Sequence, residues 1–127
     1  MEKEFIPYEQ ALELKELGFD EECVAYYHTT LSSSNVDLVL GKTHNRFYYL
    51  VGIPEHFNTL APLYQQAFRW FRGKYDFRYS IGKTNTAVVH YGPTTQLLQD
   101  NDSYEAAELA AIKWFIDVAK QIENGKN

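Results

Sequence analysis

Ala61-Pro-Leu-Tyr-Gln-Gln-Ala-Phe-Arg-Trp-Phe-Arg-Gly-Lys-Tyr75 holds five aromatic residues in fifteen positions. Its spacing decides the fold class. Tyr64, Ala67, Phe68, Phe71 and Tyr75 fall at i, i+3, i+4, i+7 and i+11, one continuous stripe on a helix of 3.6 residues per turn. Gln65, Arg69 and Arg72 fall on the opposite side, and Trp70 on the flank. Pro62 suits a first helical turn, where its missing N–H would be unpaired anyway. The stretch therefore predicts an amphipathic helix whose aromatic stripe is core rather than a cofactor face.

On either side of this helix the hydrophobic period drops to two. "CVAYYHTTL" (23–31), "VDLVL" (36–40) and "RFYYLV" (46–51) precede it, split by "SSSN" and "GKTHN". "FRYSIG" (77–82) and "AVVHYG" (87–92) follow it, split by "KTNT". Such runs of β-branched and aromatic residues between turn formers read as strands. Their short connections imply antiparallel pairing, since a parallel return needs a crossover of a dozen or more residues. A first helix is predicted over 7–17, with Gly18 as its C-terminal stop. A last one is predicted from Ser103 to Ile122, opened by Asp102 and Glu105 in capping-box fashion, with 123–127 frayed. The order α-β-β-β-α-β-β-α predicts an α+β fold: one five-stranded, mainly antiparallel sheet with three helices on one face.

The chain has 127 residues, the length of one ordinary domain, so a single domain over 1–127 is expected. No apolar run approaches the ~20 residues that span a bilayer. The acidic N-terminus shows no signal core. Cys23 is the sole cysteine, which rules out an intrachain disulfide. These features point to the cytoplasm. The net charge of −5 argues against general nucleic-acid binding. The charge is uneven, however. Residues 1–22 carry eight acids and two lysines, whereas residues 56–99 carry five bases (Arg69, Arg72, Lys74, Arg78, Lys83) against Asp76 alone. Either a local basic patch survives in the fold, or the acidic first helix neutralises it.

Most motifs with chemical associations fail on spacing. Gly-Lys-Thr occurs at 41–43 and 82–84, but Val36 and Phe77 stand where a phosphate-binding loop needs its first glycine, and strands follow instead of helices. Both copies read as hairpin turns. His28, His44, His56 and His90 include no i, i+4 pair, and there is no CxxC, so no metal site or cofactor is expected. No G-x-S-x-G stretch exists. Cys23 at a strand start reads as a small buried hydrophobe rather than a nucleophile. Glu13-Leu14-Lys15 sits in mid-helix, without the strand aspartate of a metal-dependent nuclease.

Side-chain alternation supplies the positive candidate. Phe47, Tyr49 and Val51 inward leave Arg46 and Tyr48 outward. Phe77, Tyr79 and Ile81 inward leave Arg78 and Ser80 outward, and Val89 and Tyr91 inward leave His90 outward. The first strand's parity is ambiguous; with Cys23, Ala25 and Tyr27 inward, Tyr26 and His28 face outward. One open sheet face would then show Tyr26, His28, Arg46, Tyr48, Arg78 and His90, a composition that suits binding. Arg69, Arg72, Lys74 and Lys83 form a secondary basic patch. A merely solvated sheet face is the alternative.

"APLYQQAFRWFRGKY", "SYEAAELAAIKWFIDVAK" and the opening "FIPYEQALELKELGFDEECVAYY" resemble a family of small proteins from phages and prophages of Bacteroides-like gut bacteria. Its paired motifs run P-x-Y-Q-Q-A-F-R-W-F-R-E-K-Y and Y-E-E-A-E-L-A-C-L. The resemblance covers about half of the residues, at both chain ends and the middle helix. Gly73 and Ala106 stand where glutamate is usual, and Ala111 where cysteine is usual. The resemblance implies an origin rather than an activity, so no catalytic residue carries over. A sheet face suited to binding and the lack of a recognisable catalytic constellation favour a binding protein over an enzyme, and the resemblance suggests host interaction or counter-defence with a host or phage protein as partner. A small nucleotide or a nucleic acid are the alternative ligands, and a homodimer through the sheet face or an edge strand is also open.

Overall fold

A computed structural model of the chain describes residues 2–30, 33–43 and 58–126. After a 3-10 turn at Glu2–Glu4 come α1 (Tyr8–Glu16), β1 (Cys23–Thr30), β2 (Ser33–Thr43), β3 (Asn58–Leu60), α2 (Tyr64–Tyr75), β4 (Arg78–Ile81), β5 (Ala87–Tyr91), β6 (Thr94–Leu98) and α3 (Tyr104–Asn124). The class is α+β, with three α-helices among the described residues. The single five-stranded sheet is not what forms. Among the described residues the strands form two separate three-stranded antiparallel sheets, ordered β2-β1-β3 and β4-β5-β6. The chain divides into two compact units, Met1–Leu63 and Tyr64–Asn127.

In the first unit α1 ends by local chemistry. Gly18 takes φ 98°. Its N–H donates to Lys15 O, and that of Phe19 to Leu14 O, at 3.1 and 3.0 Å. These two bonds are those of a Schellman stop, and Leu14 and Phe19, its usual apolar pair, are both buried. β1 pairs with β2 from Cys23↔Thr43 to Thr30↔Ser33 and with β3 at Tyr26↔Leu60, Tyr27↔Thr59 and His28↔Asn58. The inward set on β1 is Cys23, Ala25 and Tyr27: the first two are buried, and the Tyr27 hydroxyl donates to Ile6 O at 2.6 Å. The Tyr8 ring meets Tyr27 edge-on. Gly41–Thr43 belongs to β2, so the first Gly-Lys-Thr is strand, not turn. Pairing with Cys23 carries the ladder through it. The strand expected over 46–51 lies outside the described residues.

In the second unit α2 and α3 cover one face of β4-β5-β6. The opening stretch's stripe is core, as its period predicts: Tyr64, Ala67, Phe68 and Phe71 are buried. Phe71 meets Phe77 at 5.9 Å and Phe115 at 5.5 Å between ring centroids, and Phe77 stacks on Phe115 at 5.1 Å. The Tyr75 hydroxyl donates to Glu123 Oε1 at 2.8 Å, tying the ends of the two helices. α3 is capped by Ser103, whose Oγ accepts from Ala106 N at 3.0 Å, rather than by Asp102. It runs on to Asn124, two residues beyond the expected end. β4 and β5 join through the second Gly-Lys-Thr, a true turn: Asn85 adopts φ 58° and Gly82 N–H donates to Thr86 O.

Two strands escape the periodic reading. β3 is three residues long. β6 places Gln96 on the helix side, bonded to Trp114 Nε1 at 3.1 Å, and leaves Leu97 56% exposed. Gln96 inward and Leu97 outward break the apolar alternation, which hides the strand from a hydrophobic-period search.

Candidate functional site

α2 ends at Tyr75, and the chain reverses into β4 within two residues. Asp76 makes the reversal at φ 58°, its N–H donating to Arg72 O at 3.0 Å. This tight junction brings Arg72, in the last turn of α2, close to Arg78, the first residue of β4. Together with Phe68, Phe77 and Tyr79 they line an open pocket of about 210 Å³. Its floor is aromatic: Phe68 and Tyr79 stack with centroids 3.8 Å apart and planes 20° from parallel.

The two arginines differ. Arg78 donates from Nε and Nη2 to the same carboxylate oxygen of Asp76, at 3.2 and 3.0 Å. Both side chains are largely exposed, so this pair contributes little to stability and a competing anion displaces it readily. The Arg72 guanidinium has no ion pair among the described residues. Its charge acts on Tyr79. Burial pushes the Tyr79 hydroxyl above its ordinary pKa, Tyr104 and Glu108 push the same way, and Arg72 opposes them. Tyr79 therefore stays protonated at neutral pH. Glu108 on α3 is also held above the usual carboxylate range, first by burial and then by Glu105.

The structure gathers only part of the predicted site. Arg78 and His90 are direct register partners across β4 and β5, and Thr95 continues the row on β6. His90 Nδ1 lies 3.1 Å from Thr95 Oγ1. Tyr26 and His28 belong to the first sheet, so they share no sheet face with Arg78 and His90. Both are half-buried, and His28 Nδ1 lies 2.9 Å from Asn58 Oδ1. Arg46 and Tyr48 lie outside the described residues. In the secondary patch, Arg69 is exposed on α2, Arg72 enters the pocket, Lys74 lies 5.0 Å over the Trp70 ring, and Lys83 sits in the β4–β5 turn. Sequence reasoning treated Phe68 and Tyr79 as core only. The signal available was Asp76: a residue that accepts the left-handed conformation between a helix and a strand forces the arginines on either side together.

Compared with family models, curated proteins and solved structures, the chain matches none. Among the described residues no three His, Cys, Asp or Glu side chains form a set able to hold a metal, and no helix is long and apolar enough to cross a membrane.

Proposed function

We propose that this chain acts by binding rather than catalysis, and that the Arg72–Arg78 pocket receives an acidic group of a partner protein. The observation that carries this reading is the unpaired Arg72 guanidinium beside a stacked aromatic floor. A planar guanidinium grips a carboxylate through two parallel hydrogen bonds, and an adjacent low-dielectric surface strengthens them. Tyr79, kept protonated, supplies a donor and not a base. The motif likeness to phage and prophage proteins supports an accessory role in a bacterial cytoplasm, in host interaction or counter-defence. A small nucleotide is the second reading, because its phosphate suits the same two arginines.

The test is an NMR titration with a short aspartate- and glutamate-rich peptide, its amide counterpart and adenosine monophosphate. The acidic peptide is expected to move the resonances of Phe68, Arg72, Arg78 and Tyr79, and Arg72→Ala to weaken it about tenfold, the scale of one charge-assisted pair. Unmoved resonances, or shifts indifferent to Arg72→Ala, overturn the reading. Shifts with the nucleotide alone favour the second.

A further inference from the structure

We infer that β6 is the seam of a two-fold homodimer, in which Thr94–Leu98 of two copies pair antiparallel and join two three-stranded sheets into one of six. Among the described residues β6 pairs with β5 alone. Thr94, Thr95, Gln96 and Leu97 are all exposed. Sheet edges are ordinarily guarded against association by lysine, proline or a bulge. β6 has none of these, and none of its five residues is charged.

Antiparallel self-pairing is two-fold symmetric, which makes a second copy of this chain the natural occupant. An axis through Gln96 sets Thr95 against Leu97 of the other copy. The helices then supply complementary charge. Trp114 marks the flank of α3 that leans over β6, because its indole reaches Gln96. Steps of 100° per residue from Trp114 put Asp117 and Gln121 along that flank and Lys113 at its outer side. Lys113 and Asp117 are exposed, and neither has an ion partner among the described residues. Within one helix a lysine four residues before an acid is the poorer order. The two-fold reverses the second helix and offers each Lys113 the other copy's Asp117.

Spacing permits this. α3 packs chiefly on β5, so the two α3 axes would stand three strand spacings apart, about 14 Å. That exceeds the ~8–10 Å of directly packed helices, and long side chains such as Trp114, Gln121 and Lys113 would span the gap. An open groove of about 350 Å³ beside Tyr91, Thr94, Trp114 and Val118 carries no charge to oppose the approach. A seam of five residues with two helix flanks is smaller than a standard interface, so the dimer is weak.

Sedimentation equilibrium from about 5 µM to about 500 µM covers the range of such an association. The wild-type chain is expected to pass from monomer to dimer. Leu97→Lys, at an exposed position that leaves the melting temperature unchanged, should raise the dissociation constant at least about tenfold. Lys113→Asp and Asp117→Lys should each weaken the dimer, and the double exchange should restore it. A monomer at every concentration, a dimer indifferent to Leu97→Lys, or a double exchange no tighter than the single variants overturns the inference.

Discussion

Asp76 does two jobs with one residue. Its backbone turns the chain at φ 58° and its carboxylate occupies Arg78. The second job competes with the proposed ligand. Asp76→Asn keeps a side chain that tolerates the left-handed region and removes the competing charge. The variant is expected to bind the acidic peptide several-fold tighter than wild type, read by the same NMR titration; equal or weaker binding would place the contact elsewhere. Glu108 offers a test by pH. Its folded pKa is raised, so folding favours the protonated carboxyl. The stabilisation is full below the ordinary glutamate range and is lost as pH rises through the raised value. Glu108→Gln is uncharged at every pH. It is expected to melt above wild type at neutral pH, with the difference closing under acid conditions. Thermal scans from acid to neutral pH read this directly.

At the scale of elements, α2 is continuous through Gly73. A Cβ built there meets nothing within 4 Å, and the backbone is not left-handed. Gly73 therefore weakens the last turn before the pocket without any packing reason. Gly73→Ala should stabilise the chain by roughly 0.5–1 kcal/mol, measured by urea unfolding; a loss of stability would mean that the turn needs the glycine. The Ser103 cap works in the opposite sense. Ser103→Ala removes the acceptor of the Ala106 N–H and should cost about 1 kcal/mol. The helices were legible because each buries one stripe, and periodicity reports burial directly. β1 and β5 were legible for the same reason, whereas β2 and β4, with no described residue buried, were legible from β-branched and aromatic residues set between turn formers. β6 was not, because Gln96 turns inward to meet an indole and Leu97 outward. Its signal lay in the turn before it: Gly92 at φ 56° followed by Pro93 is the chemistry of a two-residue hairpin loop. Sheet membership was the larger miss. Alternation tells which way a side chain points, not which strands are neighbours, so Tyr26 and Arg78 could be given a common face that the pairing does not provide.

At the scale of the whole chain the charge divides between the two units. Residues 1–63 carry ten acids and four bases, whereas residues 64–127 carry seven acids and eight bases. A net charge of −5 thus conceals a second unit close to neutral, on which two arginines can act locally. This sets the ionic-strength dependence that separates the proposed reading from nucleic-acid binding. A site with two exposed guanidiniums, one already paired with Asp76, is screened like any surface pair. Affinity for the acidic peptide should fall several-fold between about 50 and 200 mM salt. A surface that neutralises many phosphates loses about a thousandfold or more over the same range. Titrating the peptide and a single-stranded oligonucleotide at both salt concentrations measures the two slopes. A shallow peptide slope with negligible oligonucleotide affinity is the expected result. A steep slope with tight oligonucleotide binding at low salt would instead enlist Arg69, Lys74 and Lys83 alongside the pocket and make the basic segment itself the binding surface.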